Sequence, residues 1–130
     1  MQLFSLNFTV EAEDGGVTIF GKAVSDLQED VVISGNAISG TLKAVTGYTG
    51  FDSDPALQDG NFLALKFIAP SNATVTVELL GGYSGPVDLD SDMNGVWRIE
   101  NKDTQRLKVT VTKGSEVATK TYSLAGLTCL

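Results

Sequence analysis

Apolar and polar residues alternate at every second position through much of this chain, and that period limits its fold more than any other feature. Phe4, Leu6, Phe8 and Val10 alternate with Ser5, Asn7 and Thr9. Val75, Val77 and Leu79 alternate in the same way with Thr74, Thr76 and Glu78. Extended backbone sends successive side chains to opposite faces, so this pattern predicts strands buried on one side. No segment sustains a helical period over three turns.

Glycine-containing breaks separate the strands. Asp14-Gly15-Gly16 reads as a turn, with Val17 to Ala23 as the return strand of a hairpin. The polar run Ser25-Asp26-Leu27-Gln28-Glu29-Asp30 reads as a linker. Val31 to Ser34 and Ala37 to Val45 flank Gly35-Asn36, a pair suited to a tight hairpin turn because both residues accept positive φ. A long stretch from Thr46 to Asn61 follows, with Pro55 to Gln58 as one helical turn inside it; loops of that length are often functional. Phe62 to Ile68 is apolar on both faces except at Lys66, as a central strand requires.

Beyond the strand around Val77, Gly81 to Pro86 reads as a turn. Val87 to Leu89, Val96 to Glu100, Arg106 to Thr112 and Val117 to Tyr122 complete the series, the last two joined through Lys113-Gly114-Ser115-Glu116. Short strands between glycine-rich turns predict an all-β fold, an immunoglobulin-like β-sandwich with an additional N-terminal hairpin or arm. Residues 1–30 are expected to form that arm and its linker, and 31–130 the sandwich. At 130 residues the chain can bury roughly two-thirds of its unfolded surface. It therefore needs no disulfide, and its one cysteine, Cys129, has no internal partner.

Charge narrows the choice of partner. Nine Lys and Arg oppose sixteen Asp and Glu, for a net −7. Nucleic-acid binding calls for clustered basic residues, which this chain lacks. Six of the nine bases nevertheless follow Asp92, so the C-terminal strands are mildly basic and the rest strongly acidic. No run of 18 apolar residues predicts a membrane helix, and the first residues lack the basic leader of a signal peptide. Neither nucleic acid nor membrane is an expected partner.

The chain contains no histidine, which removes the usual general base and the commonest metal ligand. We expect no enzyme and no cofactor. Asp88-Leu89-Asp90-Ser91-Asp92-Met93-Asn94-Gly95 begins like a calcium loop, with Asp88, Asp90 and Asp92 as candidate ligands. The match then fails, because Met93 stands where the loop needs glycine and Ile99 where it needs a bidentate Glu. The competing reading is a polar strand end leading into an Asn94-Gly95 turn. Candidate partner-binding residues are Tyr48, Phe51, Asp52 and Asp54 in the long loop, together with Tyr83. The aromatics Tyr48 and Phe51 serve either to anchor that loop or to contact a partner. The single tryptophan, Trp97, reads as core.

The order of several segments resembles a group of small proteins encoded beside the major capsid protein in prophages of Gram-positive bacteria. The segments are Ile38 to Phe51, Gly60 to Leu65, Val75 to Leu79, Gly85-Pro86-Val87, Lys102 to Gln105 and Tyr122 to Leu127. None is a catalytic motif. The resemblance implies a virion structural protein on the capsid surface, made in the host bacterial cytoplasm. The implied role is head decoration or stabilisation, docked on the major capsid protein, with homo-oligomerisation left open. Two other readings fit an all-β chain. One is a carbohydrate- or surface-binding module of a tail or fibre. The other is a tail-tube or connector subunit.

Overall fold

The computed structural model describes residues 6–13, 16–50, 53–81 and 89–129. It is all-β. Eleven strands are present among the described residues: β1 (Thr9–Ala12), β2 (Thr18–Ile19), β3 (Lys22–Ala23), β4 (Gln28–Ser34), β5 (Ala37–Leu42), β6 (Ala44–Val45), β7 (Gly60–Ile68), β8 (Thr74–Leu80), β9 (Asn94–Ile99), β10 (Arg106–Lys113) and β11 (Glu116–Cys129). They form a five-stranded sheet in the order β4-β5-β11-β10-β8, a four-stranded sheet around β7, and the small β2-β3 ribbon. No helix among the described residues is long and apolar enough to cross a membrane.

The main core lies between the two larger sheets. Leu63, Leu65 and Phe67 of β7 and Trp97 and Ile99 of β9 meet Leu107, Val109 and Val111 of β10 and Tyr122, Leu124 and Leu127 of β11. The even positions of β7 point the other way. Phe62 and Ala64 join Val96 in a second cluster with Ile19, Val24, Leu27, Val45 and Tyr48. β7 is thus buried on both faces, which is why its sequence reads as a continuous apolar run.

Several boundaries differ from the sequence reading for identifiable reasons. Thr9 to Ala12 pairs with Leu65 to Ile68 rather than with the 17–23 segment. That segment instead folds on itself, Thr18 opposite Ala23, through Phe20 and Gly21 at φ 51° and 81°. Two consecutive positive φ values are what the tightest right-twisted hairpins need. The expected linker at 25–30 is structured: Val24–Asp26 forms a 3-10 turn, Leu27 and Gln28 are buried, and β4 begins at Gln28. The described part of residues 1–30 therefore packs into both clusters through Leu6, Val10, Ile19, Val24 and Leu27.

Ala37 to Val45 is not one strand. It breaks at Lys43, which lets β5 serve the five-stranded sheet and β6 the other. The Lys43 N–H donates to the Leu27 carbonyl at 3.0 Å. The Gly35-Asn36 hairpin forms as expected, with Ser34 opposite Ala37, but only Gly35 takes positive φ, 59°. The hairpin at Gly114 also forms, with Lys113 opposite Glu116.

β11 runs far past its expected end at Tyr122. Its first half ladders with β10 and its second half runs parallel to β5, with an irregularity between Ser123 and Gly126. That break shifts the alternation and conceals the strand's second half in the sequence. Asn94-Gly95 does not turn; it opens β9, and the turn occupies Asp90 to Met93 with Met93 at φ 63°. The expected turn at 82–86 and the expected strand start at 87–88 lie outside the described residues.

Candidate binding surface

The two larger sheets present very different outer faces. On the four-stranded sheet, Phe62, Ala64 and Val96 are fully buried beneath the β2-β3 ribbon, the 24–27 turn and the start of the 46–59 loop. Covering an aliphatic side chain of this kind is worth about 1.5–3 kcal/mol, so Ile19, Val24 and Leu27 hold the ribbon down firmly.

Tyr48 fastens the long loop. It is 4% exposed, and its ring meets Phe62 edge-on, centroids 4.9 Å apart at 60°. Its N–H donates to the Gln58 carbonyl at 2.9 Å, while the Gly47 N–H donates to Asp59 Oδ1, also at 2.9 Å. Burial pushes the Tyr48 phenol well above its ordinary range. Asp54 is exposed and caps the Pro55–Leu57 turn, its Oδ1 accepting from the Ala56 N–H at 3.0 Å. Of the proposed contact residues in this loop, Tyr48 is therefore an anchor with no ring face left for a partner, and Asp54 has a local role at the surface. Phe51, Asp52 and Tyr83 lie outside the described residues. Trp97 is core, 2% exposed and perpendicular to Phe67 at 5.7 Å.

Of the calcium candidates, Asp90 and Asp92 lie among the described residues, and Asp90 is engaged in a local turn. Asp90 Oδ1 accepts from the Asp92 N–H at 2.9 Å and the Asn94 N–H at 2.8 Å, and Oδ2 accepts from Asn94 Nδ2 at 3.1 Å. A carboxylate so engaged is the organiser of a turn. Asp92 is exposed and Asp88 is outside the described residues. Among the described residues, no three His, Cys, Asp or Glu side chains converge as metal ligands. The Cys129 thiol is half-buried, and burial raises its pKa, with Lys102 acting in the opposite sense and Asp103 adding to the rise.

The outer face of the five-stranded sheet is uncovered among the described residues. Register places Thr74 beside Thr112 and Val117, Thr76 beside Thr110 and Thr119, and Glu78 beside Lys108 and Thr121. Six threonines thus tile three adjacent strands, with Lys108 and Arg106 as the face's cations. The sequence carries their signal as three Thr-x-Thr pairs, at 74–76, 110–112 and 119–121. β-Branched threonine has restricted χ1 freedom, so such a face loses little rotamer entropy when it is covered. At the end of the face, a groove runs between Leu6, Asn7, Pro70 and Asn72 on one side and Lys113 to Glu116 on the other.

No protein-family model matches the chain, and no curated protein or solved structure is significantly similar to it.

Proposed function

We propose that this chain is a phage virion structural protein, a capsid decoration or stabilisation protein that docks on the major capsid protein and performs no catalysis. Its two main sheets are read here as an immunoglobulin-like sandwich. The resemblance of the segments from Ile38 to Leu127 supports the capsid role. The structural observation that carries it is the asymmetry of the two sheet faces. One is sealed by the chain's own ribbon and loop, burying Phe62 and Val96; the other offers a stiff, polar, threonine-tiled plane. A protein that adds such a plane across junctions between capsid subunits stabilises the assembled shell, because it binds the closed state preferentially.

The mildly basic character of β10 and β11 suits a capsid surface that carries carboxylates. Of the aromatic rings that glycan recognition would need facing solvent, Tyr48 is buried, and Phe51 and Tyr83 lie outside the described residues. The test is co-sedimentation of the purified chain with empty capsids built from the neighbouring major capsid protein. Saturable binding at a fixed ratio to capsid subunits is expected. Absence of binding to both empty and DNA-filled particles would reject the reading.

A further inference from the structure

Lys66 is the only charged side chain of β7, and it is half-buried in the middle of the four-stranded sheet. Register sets Glu11 of β1 beside it on one side and Asn94 of β9 on the other. Paired residues share a face, so the three stand in one row, on the same covered side as Ala64 and Val96. Lys66 makes no hydrogen bond or ion pair among the described residues.

Asn94 is 6% exposed, and its carboxamide is held at the nitrogen. Nδ2 donates to Asp90 Oδ2 at 3.1 Å, while Oδ1 is buried without a hydrogen-bond partner among the described residues. The Phe67 N–H donates to the Met93 carbonyl at 2.9 Å, so Lys66 and Asn94, one step along, form a pair with no mutual ladder bonds. Side chains lie closest in pairs of that kind. An amine thus stands across from a carboxamide, with one carboxylate next to the amine and another on the amide nitrogen. Burial of the amide keeps out water, the competing nucleophile. Fixed strands hold the two reactants together, which is the largest help a slow bimolecular step can receive.

We propose that Lys66 and Asn94 join in an intramolecular isopeptide bond, a self-made cross-link between β7 and β9. The Lys66 ammonium gives one proton to Glu11, and the neutral amine attacks Asn94 Cγ. A second proton passes from Nζ to Nδ2 through the Asp90 carboxylate. The Cγ–Nδ2 bond then breaks, and ammonia leaves as ammonium with the proton that Glu11 held. One C–N bond forms, one breaks, and nothing is oxidised or reduced. The product amide keeps one N–H, enough to retain the bond to Asp90. The cross-link ties the chain covalently across the loop from Lys66 to Asn94, which restricts the unfolded state as other cross-links do. It forms within one chain and does not depend on the capsid reading.

Intact-mass spectrometry of the folded wild-type chain and of Lys66→Arg tests this, with circular dichroism verifying that the variant is folded. The wild type is expected to weigh one ammonia less than its sequence, and Lys66→Arg its full sequence mass. A protease digest of the wild type is expected to yield one branched peptide joining the segments around Lys66 and Asn94, a readout that does not depend on the variant. A wild-type chain that keeps its full mass after long incubation would overturn the cross-link. So would an ammonia loss that persists in Lys66→Arg without a branched peptide, the mark of a succinimide at Asn94-Gly95.

Discussion

Gln28 Oε1 accepts a hydrogen bond from the Ala64 N–H at 2.9 Å, and this one contact closes a gap in the four-stranded sheet. One edge of β7 is shared by two short strands, β6 at Asn61 and Gly60 and β1 from Leu65 to Ile68. Ala64 lies between them, fully buried, with no strand among the described residues opposite its N–H on that edge. The Gln28 carboxamide stands in for the missing peptide group, and its Nε2 donates onward to the Glu13 carbonyl at 3.4 Å. Gln28 is itself 4% exposed, so water does not substitute for it.

Replacing Gln28 with Leu keeps the volume and leaves the Ala64 N–H buried without a partner. A destabilisation of about 1–3 kcal/mol is expected, the usual cost of an orphaned buried donor. Urea unfolding curves measure it as a lower midpoint with an unchanged slope.

Gly40 and Gly35 separate two kinds of glycine requirement. A Cβ on Gly40 would overlap the Asp30 carbonyl, where β4 bulges across its neighbour, and the residue sits at φ 134°. Gly35 also has positive φ, 59°, but a Cβ there meets nothing within 4 Å. Gly40→Ala should cost more than about 3 kcal/mol, because backbone must move. Gly35→Ala should cost only about 1–2 kcal/mol of left-handed strain. Thermal melts of the two variants rank them, and equal losses would contradict the overlap.

Asp90 is assigned to holding its turn. Asp90→Ala removes three acceptor contacts, those to the Asp92 N–H, the Asn94 N–H and Asn94 Nδ2, and should lower stability by about 1–2 kcal/mol. Calcium chloride at millimolar concentration should leave the wild-type melting temperature unchanged, because a bound ion would raise it by mass action.

Stability should fall at alkaline pH. Burial raises the pKa of Tyr48 and of Tyr122 above the ordinary value of 10.0. The folded state therefore holds these protons more tightly than the unfolded chain does. Their stabilising contribution is complete below pH 10 and is lost as pH rises from there through the folded-state values. Tyrosinate absorbance should show Tyr48 and Tyr122 ionising only together with unfolding, whereas a free titration near pH 10 in the folded state would place them at the surface.

The sequence made some of this structure readable and hid the rest. β7 was legible because burial on both faces writes an apolar run from Phe62 to Phe67, interrupted only by Lys66. The turns at Gly35 and Gly114 were legible because only a few residues accept their backbone angles. Leu27 was not: one apolar residue among Asp26, Gln28 and Glu29 shows no period, yet it is fully buried in the second cluster. Asn94-Gly95 resembled a turn because the dipeptide is common there. Gly95 is instead small so that the Trp97 indole and Leu89 can lie across it. Tyr48 left two roles open in sequence, and its packing against Phe62 decides for anchorage. The threonine pairs were visible, but ordinary strand propensity explains them equally well until register aligns them on one face.

The most direct test of the capsid role is electron cryomicroscopy of particles produced with and without this chain. The account predicts ordered density of β-sandwich shape on the outside of the head that disappears when the chain is absent, with its open threonine face turned toward the shell. Identical heads in the two preparations, or density for the chain only along the tail, would contradict it.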